Sequence, residues 1–402
     1  MAVTLANIKT ILDQKRFTSD TVVLDIGVAG EQAINDTMLE VKSASNIGGY
    51  PHHWDFDIRR ASITHYQDAE VNAAPTDFYA VQDLVARTAG TYVFRFLEPD
   101  TAQRLAAGGN LGDYFAIERR DGANYIRVSY QHAVGEATDL DKANDVTDWN
   151  ADTAASDALA PTKDEQMFIR HSASVNFDVD VSASVNNRAT IYNDNLSVNA
   201  SEYEDDSAIV VDVFIPDVTN FTSVDLYWGS DASSTPAAKA NYWEVTGTTT
   251  TASGESFRAG WNKVAFDWDG ATKTASPDSA NIRYLEFRVN YGAGQADDTD
   301  FRVNNFRLNK PEELDLYYYT TSIAKNAAGT YQTDEIVDDT DEPLWSGQFD
   351  FMRNVVVAGS LAKLLHIQER FDLAEREEAR YRQLLTEAQR QLPSRARRPE
   401  WI

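Results

Sequence analysis

Any chemistry in this chain would have to come from carboxylates, imidazoles and flat aromatic rings. There is no cysteine, which removes disulfides, thiolate metal sites and cysteine nucleophiles together. Carboxylates gather at Glu202-Tyr203-Glu204-Asp205-Asp206, at Asp297, Asp298 and Asp300, and at Asp338-Asp339-Asp341-Glu342. Oxygen-rich loops can hold calcium, so Asp297, Asp298 and Asp300 are the candidate ligands of a structural calcium. No run has the spacing and glycine of an EF-hand loop, and solvated charge is the commoner role of such runs. The histidines are His52, His53, His65, His132, His171 and His366. None lies in a metalloprotease helix motif, and His52-His53 sits in a Gly/Pro loop, where a surface pair is expected. Two carboxylates can cleave a glycosidic bond, but among 63 acidic residues a pair is uninformative. There is no phosphate loop, dinucleotide fingerprint or nucleophile elbow. The expectation is a non-enzymatic protein without a cofactor.

Flat rings are the other resource. Sugar binding needs an exposed ring with polar groups beside it. Trp228, Tyr242, Trp243, Trp261, Trp268 and Tyr291 are available. Alternation places Trp268 with Val264 and Phe266, and Trp228 with Val224 and Leu226, so both read as core. Tyr242 and Trp243 border a Ser/Thr/Ala-rich loop and are the candidate glycan contacts.

These residues must be positioned by a chain of 402 residues with net charge −27, long enough for two or three domains. The acidity opposes binding of a phosphate backbone. It suits a wall past which a polyanion slides, and equally a saline habitat. No run is long enough for a transmembrane helix, and MAVTLANIKTILDQ lacks the pattern of a secretory signal, so no membrane partner is expected. Thr4 can cap a helix carrying Leu5, Ile8, Ile11 and Leu12. A second amphipathic stretch after Gly30 carries Ile34, Met38 and Val41. Residues 54–66 are strand-like, Pro75 opens a turn, and 114–130 read as a hairpin around Asp121-Gly122. Residues 133–163 read as a linker or an ordered surface excursion. From 167 to 310 short alternating runs describe an antiparallel sandwich. In YLEFRVN (284–290), Leu285, Phe287 and Val289 face one way, and Glu286, Arg288 and Asn290 the other. An aromatic strand follows Pro311, then one long helix over most of 348–392, ended by Pro393. The fold class is therefore α+β: a helical body with a small β element, interrupted by an inserted β-sandwich. The divisions are 1–163, 164–312 and 313–402.

The body resembles the head-to-tail adaptor proteins of tailed bacteriophages. The resemblance rests on AINDTMLEVKSA (33–44), APTDFYAVQDLV (74–85), IRVSY (126–130), LDLYYYTTSIA (314–324) and EPLWSGQFDFMRNVVVAGSLAKLL (342–365), in that order. It implies a helical-bundle adaptor subunit made in the host cytoplasm and placed at the head–tail junction of the virion. Its partners would be the portal protein, tail or other neck proteins, and copies of itself in a dodecameric ring. DNA would pass through the channel without specific binding. The resemblance also implies a C-terminal tail docked on the portal. There, Arg395, Arg397 and Arg398 offer guanidinium forks to carboxylates, and Trp401 offers an aromatic anchor. The sandwich resembles carbohydrate-binding modules and related jelly rolls, through TSVDLYWGSD (222–231), FRAGWNKVAFDW (257–268) and FRVNNFRL (301–308). That likeness implies a glycan as partner. It leaves a carbohydrate-binding tail or capsid decoration protein as the alternative reading.

Overall fold

The computed structural model describes residues 3–17, 27–45, 52–66, 71–87, 92–107, 113–120, 122–129, 137–181, 186–204, 207–232, 234–297, 299–333, 335–336, 338–349 and 351–392. The chain divides into two compact units. One comprises Met1–Ala61, Pro75–Leu84 and Asp315–Ile402, the other Ser62–Ala74 and Val85–Leu314. Among the described residues there are five α-helices: α1 (Leu5–Phe17), α2 (Gly27–Lys42), α3 (Pro99–Ala107), α4 (Met352–Ile367) and α5 (Phe371–Gln391).

In the first unit α1, α2, α4 and α5 share one core. Leu5, Ile8 and Leu12 of α1 and Ile34, Met38 and Val41 of α2 are buried with Val355, Val356, Leu361 and Tyr381. These are the apolar positions that helical periodicity selects. Thr4 opens α1 as expected: its Oγ1 accepts from the Asn7 amide (3.4 Å), and Asn7 Oδ1 accepts from the Thr4 amide (2.9 Å), a reciprocal cap. The long C-terminal helix differs from expectation. It breaks at Gln368–Arg370, where Glu369 has φ 58°, and α5 packs against α4. A stripe of Ala374, Tyr381 and Ala388, seven residues apart, faces inward. Both halves bury their apolar stripe in the same core, so the sequence pattern runs across the break without interruption. A Cβ on Gly359 would lie 2.5 Å from Thr37 Cγ2 and 3.1 Å from the Tyr381 ring, so the approach of α2 and α5 to α4 requires glycine there.

Extended segments are tied to this core by polar side chains. Asn35 accepts from the Ile336 amide (2.8 Å) and donates to the Ile336 carbonyl (3.2 Å). Asp77 accepts from Tyr318 Oη (2.8 Å) and Thr320 Oγ1 (2.5 Å). Within this unit a three-stranded sheet runs in the order Tyr331–Gln332, Ala324–Lys325, Glu342–Pro343.

The second unit holds a small sheet and a sandwich. In the small sheet Tyr114–Arg120 and Ala123–Ser129 pair through a two-residue connection ending at Gly122, φ +87°, the hairpin that Asp-Gly signals. Helix α3 contributes Ala102 to a small core with Tyr114 and Ala116.

The sandwich consists of two antiparallel sheets. One orders Thr162–Asp164, Ser174–Phe177, Phe301–Asn309, Ala208–Ile215 and Gly260–Asp267, with Thr138–Asp141 also paired to Phe301–Asn309. The other orders Thr272–Thr274, Tyr242–Thr248, Phe221–Gly229, Tyr284–Tyr291, Arg188–Asn193 and Trp149–Ala151. Phe177, Val211, Leu226, Trp228, Phe266, Phe287 and Phe306 are buried in their common core. The stretch read as a linker or an ordered surface excursion, 133–163, differs from expectation. Its described part supplies Thr138–Asp141, Trp149–Ala151 and the first residues of Thr162–Asp164 to the two sheets, and buries Leu140 and Trp149. Strands of three or four residues are too short to register as alternation, and the Asx turns between them, such as Asp145 Oδ1 accepting from the Thr147 amide (3.1 Å), read as loop.

His65, in the second unit, is 3% exposed, with Nδ1 3.2 Å from Asn72 Nδ2. Burial pushes its pKa down to about 4 from the ordinary 6.5. Between these values the unfolded chain takes up a proton that the folded chain refuses, so acidification through this window destabilises the fold. The loss on going from pH 7 to pH 4 is up to about 3 kcal/mol from this residue. Urea unfolding at pH 7, 5 and 4 should show a steeper decline for wild type than for His65→Gln.

Candidate functional site: a tyrosine-rich sheet face

The strand period of two gives each sandwich sheet an inner and an outer face. In Phe221–Gly229, Val224, Leu226 and Trp228 enter the core, which turns Ser223, Asp225 and Tyr227 outward. In Tyr284–Tyr291, Leu285, Phe287 and Val289 point inward, and Glu286, Arg288 and Asn290 outward. The same logic turns Thr190 and Tyr192 outward from Arg188–Asn193, and Tyr242 and Glu244 outward from Tyr242–Thr248.

Register lines these residues up across the strands. One row is Glu244, Tyr227, Glu286 and Tyr192; the next is Asp225, Arg288 and Thr190; a third is Ser223, Asn290 and Arg188. On the other side of the first row lie Tyr242, Gly229 and Tyr284. No aliphatic side chain interrupts these rows. Neighbouring strands are about 4.8 Å apart, so the face alternates rings and hydrogen-bonding groups at short, regular intervals.

Glu286 sits at its centre with no exposure. It accepts from Arg288 Nη2 (2.7 Å) on one oxygen, and from Lys239 Nζ and Tyr284 Oη (both 2.6 Å) on the other. Arg288 Nη1 donates to Tyr227 Oη (3.0 Å) and lies 3.8 Å from Asp225. Asp225 accepts from the Gly247 amide (2.7 Å). Burial pushes the Tyr227 phenol above its ordinary range, and burial together with Glu286 does the same for Tyr284, so both remain hydroxyl donors at any physiological pH. Burial alone would lower the pKa of Arg288; the carboxylates of Glu286 and Asp225 beside it outweigh that and hold the guanidinium charged.

Lys239 arrives from the loop that joins Phe221–Gly229 to Tyr242–Thr248. That loop is closed by Asp231, whose carboxylate accepts from the Ala240 (2.5 Å) and Asn241 (2.6 Å) amides. Gly229 permits the closure, because a Cβ there would stand 2.2 Å from the Asn241 carbonyl oxygen.

Of the two glycan contacts expected from sequence, Tyr242 lies on this face, its ring centroid 5.9 Å from that of Tyr227. Trp243 requires correction. It is 3% exposed in the sandwich core, stacked on Trp228 at 6.3 Å and edge-on to Trp268 at 5.2 Å. Adjacent strand residues point to opposite faces, so Tyr242 and Trp243 cannot serve one surface. Trp228 and Trp268 are in the core, as alternation indicates.

Asp297 Oδ1 accepts from the Val181 amide (2.7 Å), Asp300 lies 3.4 Å from Arg302 Nη2, and Asp298 lies outside the described residues. Among the described residues no group of three or more histidine, aspartate or glutamate side chains is placed to hold a metal ion. Arg395, Arg397, Arg398 and Trp401 also lie outside the described residues. Sequence reasoning placed Glu286, Arg288 and Asn290 on one side of their strand but gave them no role. It passed over Tyr192, Tyr227, Tyr284 and Lys239. Alternation was the available signal, since each of the first two occupies a polar-phase position of its strand.

No family model matches this sequence, and no curated protein matches it. Solved structures similar to part of it are carbohydrate-binding modules. A family 30 module of a cellulosomal cellulase from Clostridium thermocellum aligns at 10% identity and TM-score 0.29, covering 44% of this chain and 98% of that one. CtCBM11 aligns at 11% identity and TM-score 0.30, covering 45% and 98%. A module specific for non-crystalline cellulose, CBM28, aligns at 10% identity and TM-score 0.27, covering 44% and 96%. At these values the likeness does not bear on function.

The two neighbouring residues should respond differently to truncation. Trp243→Ala removes a core ring and should cost about 3–5 kcal/mol of stability. Tyr242→Ala removes a rim ring and should cost about 1 kcal/mol. Urea denaturation of both variants measures the difference.

Proposed function

We propose that the sandwich binds a glycan on the outer face of the sheet that carries Tyr192, Tyr227, Tyr242 and Tyr284. The observation that carries this reading is the composition of the cross-strand rows: tyrosine rings and hydrogen-bonding groups, without an aliphatic side chain. A pyranose presents an apolar C–H face and a rim of hydroxyls, so it needs flat rings next to fixed donors and acceptors. Here the donors and acceptors are held by one another before any ligand arrives, which lowers the ordering cost of binding. Tyr192 and Tyr242, both half-buried, offer the accessible ring surface. Full-length protein should bind at least one polysaccharide in affinity gel electrophoresis. Tyr192→Ala should weaken that binding about tenfold or more without lowering the cooperativity of unfolding. Absence of binding by wild type across neutral and acidic polysaccharides would overturn the reading.

A second reading concerns the first unit, which we propose to be the structural body of a tailed-phage neck protein that assembles as a ring on the portal. What supports it is the order of elements. Within this unit a capped first helix, a second helix with Ile34-Asn35, a turn at Pro75–Phe78, an aromatic strand and C-terminal helices follow in the order that the adaptor resemblance requires. Asn35 and Asp77, from two of the stretches that carry the resemblance, are spent on holding backbone and side chains of the 315–337 region. Such residues serve folding and not chemistry. On this reading the sandwich is a glycan-contacting appendage of the virion, with DNA passing through the ring unbound. Native mass spectrometry of the full chain mixed with the cognate portal should show ring-sized assemblies, and removal of 393–402 should weaken portal binding. A protein that stays monomeric at all concentrations and ignores the portal would dismiss it.

A further inference from the structure

The ammonium of Lys239 is enclosed in an unusual way. It lies 4.3 Å from the Tyr227 ring centroid and 5.3 Å from that of Tyr242. It donates to Glu286 Oε2 (2.6 Å) and to the Pro236 carbonyl (3.0 Å). The Lys239 side chain is 9% exposed and that of Glu286 not at all. Two electron-rich rings, a carboxylate and a carbonyl around one ammonium make up an aromatic cage for a cation. The occupant comes from the same chain.

Hydrogen bonding to Glu286 does not by itself require the lysine. Arg288 already donates to one carboxylate oxygen and Tyr284 to the other. Nor does the core explain it, because Leu285, Phe287, Leu226 and Trp228 pack on the opposite side of the same sheet. Burying an ammonium is costly unless it is fully paired, so its presence between two rings calls for a role at those rings. The rings are those that the glycan reading places at the binding surface. Tyr227 is fixed on its hydroxyl by Arg288, and its ring also has the Arg288 guanidinium 4.8 Å away. Tyr242, at the start of its strand, has Lys239 against its ring.

We propose that Tyr227, Tyr242, Glu286 and the Pro236 carbonyl form an ammonium-binding cage, and that Lys239 fills it in cis to hold both tyrosine rings in place for the ligand. Lys239 is thus a positioning residue that the glycan need not touch. The cage recognises the positive charge of an organic cation. If the side chain is cut back, a small alkylammonium of the missing length can take its place, and an alcohol of the same shape cannot. The role in ligand binding rests on the glycan reading of this face; the cage itself does not.

The test is chemical rescue of full-length Lys239→Ala. Thermal unfolding and polysaccharide affinity are measured alone, with n-propylammonium and with n-propanol at equal concentration. The variant should bind polysaccharide about tenfold more weakly than wild type. Propylammonium should raise its Tm and restore most of the affinity, propanol should do neither, and wild type should respond to neither compound. Equal rescue by both compounds would make the effect one of packed volume and overturn the proposal. So would a folded variant that ignores propylammonium, or one that binds as wild type does. If wild type binds no polysaccharide, the glycan reading fails while the Tm response still decides the cage. If Lys239→Ala does not fold, Lys239→Gln is compared with Lys239→Arg: retained binding in the arginine variant alone supports the cage, and retained binding in both overturns it.

Discussion

Glu286 is a carboxylate with no exposure, set in a sheet with a hydrophobic core on one side and a tyrosine-rich face on the other. A lone charge there would cost several kcal/mol, so the face around it is built to neutralise it. Arg288 comes from two positions along the same strand, Tyr284 from two positions back, and Lys239 from a separate loop. Each partner then constrains something else. Arg288 fixes the Tyr227 hydroxyl, Lys239 approaches Tyr227 and Tyr242, and the Lys239 loop demands glycine at position 229. One buried charge thereby determines the layout of most of the face. A network of this kind is of value only when every member is satisfied, which makes the arrangement rigid before a ligand comes.

The first unit applies the same physics to a different end. Its helices are joined by ordinary apolar packing, and polar side chains add to the strand pairing that holds the extended segments around them. Asn35 uses its amide as a substitute backbone for Ile336, and Asp77 gathers two hydroxyls from one strand. Lys42 and Asp57 pair at 2.7 Å largely out of solvent, and Lys42 also donates to the Ser322 carbonyl (2.8 Å). Burial raises the pKa of Asp57 to about 6, against the pull of Lys42. These are structural uses of polar residues that would look like candidate sites in a list of sequence positions.

The overall charge is consistent with both functional readings. A chain with 63 acidic and 36 basic residues, net charge −27, repels a polyanion. That is favourable for a wall that DNA must pass. At the sandwich face, Arg288 and Lys239 are already paired to Glu286, so on the glycan reading a ligand would meet tyrosines, amides and hydroxyls more than free cations.

The sequence by itself determined what short-range periodicity can determine. It showed the cap at Thr4, the Asp-Gly hairpin, the shared phase of Leu285, Phe287 and Val289, and the core positions of Trp228 and Trp268. It failed where the signal is shorter than the period or continuous across a break. The brief strands at 138–141 and 149–151 read as linker, and α4 and α5 read as one helix because the same apolar stripe continues past Glu369. It also failed at Trp243, where composition suggested a surface ring and strand geometry required the opposite face from Tyr242. The face itself was decided only by tertiary structure. Alternation sorts each strand into two sides, but it does not say which residue of a distant strand will stand beside Tyr227 or Glu286. That follows from register between strands far apart in the chain, and from a loop whose closure depends on Asp231 and Gly229, because hydrogen-bonded pairing is a property of the assembled sheet and not of any one strand.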